Sequence, residues 1–254
     1  MTFPYYIHIG SWTFHPHFIF ECLAYFIGFR IYLYTRNKER IPYDKAIWVM
    51  IGAATGAAFG SKALYWLEQP TLTVQHITDV HYLLAGKTIV GGLLGGLIGV
   101  EYMKKRIGWT RSTGDDFVFP LLVGMSIGRI GCFLTGLSDH TYGIATDWSI
   151  GVDFGDGIMR HPTKLYEIVF LFCLGLILWG VKRNYTLWEG SGFQFFMVGY
   201  LLFRFGIDFI KPTPHPYGGF NNIQIAALAG LLYYGRLIAR HIVQRKSEVI
   251  PYAE

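Results

Sequence analysis

The chain has 254 residues, of which 52% are hydrophobic and only 15% charged, with 31 glycines, 17% aromatic residues and a net charge of +5. Soluble chains carry about 25% charged residues, so this composition excludes an ordinary soluble domain and points to a polytopic membrane protein. The positive balance then belongs to basic loops at one membrane face rather than to nucleic-acid binding. The three cysteines, Cys22, Cys132 and Cys173, lie in apolar segments at no metal-ligand spacing, which argues against both a disulfide framework and zinc.

Seven apolar segments follow in order, at roughly 14–35, 44–67, 88–103, 116–137, 163–181, 191–210 and 221–239. Each approaches the about 20 residues that a membrane-crossing helix needs. The expected fold is all-α, a single transmembrane domain over residues 1–254 with seven transmembrane helices. The opening stretch MTFPYYIHIGSWTF has no basic n-region and no small-residue cleavage motif, so no cleavable signal is expected. Lys and Arg fall unevenly between the connections. Arg36, Lys38, Arg40, Lys45, Lys104, Lys105, Arg106, Arg111, Lys182, Arg183, Arg236, Arg240, Arg245 and Lys246 would share one face, whereas Lys87, Arg160, Lys164 and Lys211 would share the other. The positive-inside rule then predicts the N-terminus outside and the C-terminus in the cytoplasm.

In the second segment Gly52, Gly56 and Gly60 recur at four-residue spacing, as do Gly91, Gly95 and Gly99 in the third. Small residues at that spacing let helix backbones approach closely; a lipid groove lined by backbone is the alternative use. Four basic residues lie within the apolar segments. Arg30 is near a helix end and can snorkel, but Lys62, Arg129 and Arg204 lie deeper, where a charge needs a partner or a wet cavity. Lys62 shares a helical face with Tyr65, and Arg129 with Cys132, beside Gly128 and Gly131. Tyr200, Arg204 and Asp208 form one polar stripe, continued by Lys211, in which Arg204 and Asp208 can pair. Lys62 and Arg129 have no such acid nearby in sequence, with Glu21 a candidate to reach one of them. Cations converging on a few acids would leave a positive cavity suited to a phospholipid phosphate, which the planar fork of arginine matches; an ion pathway is the competing reading.

The longest loop, about 138–162, is polar and is expected on the outer, periplasmic side. It carries Asp139, His140, Tyr142, Gly143, Asp147, Asp153, Asp156, Arg160 and His161. His140 and His161 are candidate proton shuttles. Pro162 suits the first turn of the next helix, and Glu167 favours that helix's N-terminal end electrostatically.

Several stretches, in order, resemble the prolipoprotein diacylglyceryl transferase family. GRIGCFLTG (128–136) is similar to its signature G-R-x-G-N-F-x-N-G-E, and RHPTKLYE (160–167) to its H-P-S-Q-L-Y-E element. GYLLFRFGIDFIKP (199–212) resembles Y-G-x-F-R-x-x-x-E-F-x-R-x-P, and NNIQIAALAG (221–230) the last-span segment with M-G-Q. DDFVFPLL (115–122) matches the lead into the signature, and GSKALYW (60–66) stands where the family has G-R-x-x-Y.

The resemblance implies a multi-pass protein of the bacterial inner membrane. It implies an enzyme that moves a diacylglyceryl group from phosphatidylglycerol to the lipobox cysteine thiol of a preprolipoprotein signal sequence, releasing glycerol phosphate. Arg129 and Arg204 would act on the phosphate or on charge developing at the leaving group, with Tyr200 beside them. Arg129 is expected within reach of Arg204, and because Val90 stands where the family has its proposed histidine base, His140, Tyr142 or His161 would serve as base instead. Lys62, Tyr65, Gly131, Cys132, Gly143, Asp208 and Lys211 would line the substrate site, Asp208 also orienting Arg204. No cofactor, metal or nucleic acid is expected. The chain departs from the pattern at several positions. Cys132 replaces the signature Asn, Leu137 stands near its Glu, Val90 replaces a His, Lys62 an Arg, Asp208 a Glu, Lys211 an Arg and Glu21 a first-span Tyr. Valine moves no proton, and lysine lacks the bidentate fork. Two alternatives to the family reaction therefore stay open. One is lipid-group transfer to a different acceptor, including a variant with Cys132 as a transient carrier; the other is a non-catalytic protein that binds phospholipid or lipopeptide.

Overall fold

The computed structural model describes residues 3–36, 41–139 and 141–249. Every expected apolar segment forms a helix. These are α1 (Pro16–Thr35), α2 (Tyr43–Trp66), α5 (Ile89–Arg106), α6 (Val118–Thr135), α7 (Thr163–Asn184), α8 (Ser191–Ile207) and α9 (Asn222–Val249). Among the described residues, five stretches are long and apolar enough to cross a membrane: Pro16–Thr35, Tyr43–Trp66, Gly114–Asp139, Thr163–Asn184 and Ser191–Ile210. Sequence periodicity did not announce two short helices in the second connection, α3 (Pro70–Gln75) and α4 (Val80–Leu84), or two small hairpins. The hairpins pair β1 (Ile7–Ile9) with β2 (Trp12–Phe14) and β3 (Val152–Asp153) with β4 (Met159–Arg160), both antiparallel.

Beside an apolar core, burial departs from that of a soluble protein at both extremes. Phe26, Phe29, Phe59, Ile98, Val169 and Phe172 are exposed on helix surfaces, while Arg129, Lys164, Glu167, Arg204 and Asp208 are buried. Large apolar side chains facing outward along several long helices mark a surface made for lipid.

The chain forms two compact units. The first comprises Met1–Asn37, Gly114–Leu187 and Phe209–Pro212. It packs α1 against α6 and α6 against α7. Pro16 opens α1, where its missing N–H costs no hydrogen bond. α6 stops at Gly136, whose φ of 69° turns the chain into the 3₁₀ turn Gly136–Asp139. The approach of α1 to α6 is set by Gly131, where an added Cβ would meet Phe20 Cβ at 2.6 Å and His17 Cα at 3.4 Å. His17 and Cys132 thereby come to the same level.

The second unit comprises Lys38–Thr113, Trp188–Asp208 and Thr213–Glu254. Here α2 and α5 lie against each other along both glycine rows. A methyl group at Gly52, Gly56 or Gly60 would strike the carbonyl of Gly99, Gly95 or Gly91 in turn. The glycines are spent on helix packing, as their spacing predicts, rather than on a groove. Basic residues Lys104, Lys105 and Arg106 end α5, where they complement the helix dipole. α9 begins with a reciprocal cap: Gln224 N–H donates to Asn221 Oδ1 (2.7 Å) and Asn221 N–H donates to Gln224 Oε1 (2.9 Å).

Candidate active site

In the first unit, charged side chains from α1, α6, α7 and the turn after α6 meet in one cluster. Arg129 Nε lies 2.8 Å from Glu167 Oε2, with both side chains buried. This corrects two expectations. Arg129 does have an acid, supplied by α7, and Glu167 serves that pair rather than its own helix end. A buried arginine facing a buried carboxylate is the arrangement that makes an intramembrane charge tolerable. Arg129 Nη1 also donates toward Cys132 Sγ at 3.8 Å, so the i, i+3 relation read from the sequence becomes a contact.

Cys132 Sγ in turn lies 3.7 Å from His17 Nδ1. The same nitrogen faces Asp139 Oδ1 at 3.4 Å, and His17 Nε2 faces Glu21 Oε2 at 3.6 Å. Glu21 thus pairs with His17, not with Arg129. The other oxygen of Asp139 accepts a short hydrogen bond from Thr141 Oγ1 and lies 3.8 Å from Lys164 Nζ. Lys164 is buried and donates to the Gly136 carbonyl (3.2 Å). Beside this cluster opens a cavity of about 440 Å³, lined by His15, His17, Phe18, Glu21, Ser138 and Asp139 among others.

In the second unit, Arg204 Nη2 pairs with Asp208 Oδ1 at 3.0 Å, and both are buried, as the i, i+4 stripe predicts. Tyr200, one turn earlier, is fully buried and stacks on Phe196 with centroids 6.1 Å apart. Lys62 is engaged differently from its sequence reading. Its ammonium donates to the carbonyls of Leu84, Ala85 (2.6 Å) and Gly86 (2.8 Å), using all three donors to hold the turn after α4. Tyr65 packs its ring on Gly86, where any Cβ would collide with it, and lies 6.0 Å from the ring of Tyr82.

The loop between α6 and α7 is well tied down. Gly143 N–H donates to the His161 carbonyl (3.0 Å), and an added Cβ at Gly143 would meet that carbonyl oxygen at 2.7 Å, so only glycine fits. Ile144 N–H donates to the Ile210 carbonyl (2.8 Å), next to the buried Lys211. His161 Nδ1 contacts the Tyr166 hydroxyl (3.1 Å) and its ring meets Trp148 edge-on. Gly131 and Gly143 therefore act first as close-packing positions. At the loop's tip Asp153 Oδ1 accepts from the amides of Gly155, Asp156 and Gly157. Asp156 pairs with Arg160 at 2.6 Å; that hydrogen bond holds the Asp156 carboxyl below the ordinary carboxylate range and pushes the Arg160 guanidinium up. His140 lies outside the described residues.

Sequence reasoning singled out Arg129, Cys132, Arg204 and Asp208, and the contacts above follow those pairs. It passed over His17 and Lys164, and misread Glu167. Lys164 and Glu167 are three apart at the start of α7, on one face, which was a usable signal. His17 offered only its i, i+4 relation to Glu21, because its other partners, Cys132 and Asp139, stand more than a hundred positions away in sequence.

The family model for prolipoprotein diacylglyceryl transferase matches residues 4–239. The chain is similar to the phosphatidylglycerol–prolipoprotein diacylglyceryl transferase of Methylobacillus flagellatus, with 31% identity across 82% of this chain and 83% of the relative. It is similar to the protein of the same name from Pseudoalteromonas atlantica, with 32% identity across 77% and 69%. The Chlorobaculum tepidum protein of that name is 30% identical across 74% and 71%. With five helices fit to cross a membrane and a match over nearly its whole length, the chain is a multi-pass membrane protein and belongs to the prolipoprotein diacylglyceryl transferase family.

Proposed function

We propose that this protein transfers the diacylglyceryl group of phosphatidylglycerol to the thiol of a lipobox cysteine in a preprolipoprotein, releasing glycerol phosphate, at the inner membrane of a bacterium. The observation that carries the reading is Arg129: a buried arginine, steadied by the buried Glu167 on an apolar helix, inside the segment that the family match covers. A guanidinium fixed by a carboxylate is preorganised, and it stabilises an anion in a dry site without reorganising during the reaction. Arg129 would bind the lipid phosphate. Arg204, steadied by Asp208 and packed near Tyr200, would act on the charge that develops at the leaving group. Lys62, Tyr65, Gly131, Gly143 and Lys211 would shape the surroundings, and His161 and His140 would serve proton transfer in the outer loop.

The proposed topology has seven spans in a single transmembrane domain, the N-terminus outside and the C-terminus in the cytoplasm. The basic residues at the ends of α5 and α7 support it. Purified protein in liposomes of labelled phosphatidylglycerol, given a lipobox peptide with a free cysteine, would form the thioether peptide, detected by mass spectrometry. Arg129→Ala would lose it.

A further inference from the structure

His17, Cys132 and Asp139 bring an imidazole nitrogen, a sulfur and a carboxylate oxygen to one point. We propose that they form a zinc site whose open position takes the acceptor thiol. All three ligand atoms lie within 4.8 Å of one another. Zinc binds such ligands at about 2.0–2.3 Å in a tetrahedron, which sets neighbouring ligand atoms roughly 3.3–3.7 Å apart. Two of the edges already have that length: 3.4 Å from His17 Nδ1 to Asp139 Oδ1 and 3.7 Å from His17 Nδ1 to Cys132 Sγ.

The surroundings are those a metal ligand set requires. A ligating histidine usually gives its other ring N–H to a carboxylate, and His17 Nε2 faces Glu21 Oε2 at 3.6 Å. Glu21 is itself anchored by the Tyr25 hydroxyl (3.3 Å). Thr141 and Lys164 occupy Oδ2 of Asp139, which leaves Oδ1 toward the imidazole. Arg129 Nη1 stands 3.8 Å from the Cys132 sulfur and favours its thiolate. Among the described residues named here, four groups would be anionic (the Cys132 thiolate, Asp139, Glu21 and Glu167) and two are cationic (Arg129 and Lys164). A divalent ion makes the cluster neutral. The same neutrality is reached without metal if His17 is protonated and Cys132 keeps its proton, so the two states are rivals that one experiment separates.

Three protein ligands with a fourth position open to a cavity is the pattern of a reactive rather than a structural zinc, and the cavity beside His17 and Asp139 supplies the opening. The use of that opening rests on the transferase reading; the metal site does not. A thiol entering the fourth position binds as thiolate and gives its proton to water. Its sulfur attacks the glycerol carbon that carries the phosphate ester. The C–S bond forms, the C–O bond breaks, and its electron pair leaves on the oxygen of glycerol phosphate. Zinc ends as it began; the metal activates the thiol, which suits a chain with Val90 in the third apolar helix, and leaves His161 and His140 only to carry the released proton onward.

The test uses the full chain in phosphatidylglycerol-free nanodiscs, loaded with Zn²⁺ and separately with Co²⁺. The expected result is about one zinc per chain, with a thiolate-to-cobalt absorption band in the cobalt form that strengthens when the lipobox peptide is added. His17→Ala and Cys132→Asn should lose the metal. Glu21→Gln, which keeps all three ligands, should weaken binding roughly 10–100-fold; thermal melting shows that each variant is folded. Wild type holding no more zinc than Cys132→Asn would overturn the site. A cobalt band indifferent to the peptide would overturn its role toward the thiol. Metal bound and peptide bound, but no transfer once phosphatidylglycerol is supplied, would leave the site standing and remove the transferase reading instead.

Discussion

The glycine seam between α2 and α5 and the charged cluster around α6 solve the same problem by opposite means. In the second unit two helices meet because nothing projects between them: six glycines let backbone face backbone. In the first unit α6 and its neighbours meet through Arg129, Glu167, Lys164, Asp139 and His17. In lipid the hydrophobic effect does not distinguish helix contact from lipid contact, so close packing and polar pairing must do the work. The seam needs only local spacing. The cluster needs residues from four elements, each useless without the others, and such a commitment is expected where chemistry occurs.

The largest effect should come from unpairing the cluster. Glu167→Ala strands a buried arginine and should cost about 3–5 kcal/mol, read as a lowered unfolding midpoint in detergent, together with loss of transfer. The double change Arg129→Met with Glu167→Leu sharpens the contrast: it should recover most of the stability and none of the activity. Next comes the seam. Gly56→Leu drives a side chain into the Gly95 carbonyl and should cost roughly 1–3 kcal/mol, with any residual folded protein retaining turnover. Lys62→Met should be milder, about 1 kcal/mol, and should show first as faster proteolysis near residues 84–86, the turn that its ammonium holds.

The smallest effect concerns the loop tip. The Asp156 carboxyl is depressed by Arg160, so its contribution is complete above the ordinary carboxylate range and is lost as pH falls through the lower, folded-state value. Acid should therefore loosen the β3–β4 hairpin, seen as faster amide exchange, and Arg160→Ala should abolish that pH dependence.

The same contrast explains how far the sequence could be read. Helix positions and the glycine seam were legible because they follow from runs and spacings within one segment. Arg204 with Asp208 and Arg129 with Cys132 were legible for the same reason, each pair lying on one helical face. Arg129 with Glu167 was not, since the acid sits on a different helix and its own surroundings suggested a dipole role. His17 drew no notice and Asp139 counted only as a loop acid, because they meet only where Gly131 lets α1 approach α6 and Gly136 turns the chain after it. Lys62 looked like a phosphate ligand because a carbonyl cage leaves no trace in side-chain pattern.

The central claim is that Arg129 serves lipid-group transfer to a thiol, and one measurement meets it directly. Wild type and Arg129→Ala, both checked for folding, are placed in liposomes of labelled phosphatidylglycerol with a free-cysteine lipobox peptide, and thioether product is followed by mass spectrometry. The account predicts product from wild type and none from the variant. Equal product from both, or none from wild type with phosphatidylglycerol still bound, would contradict it.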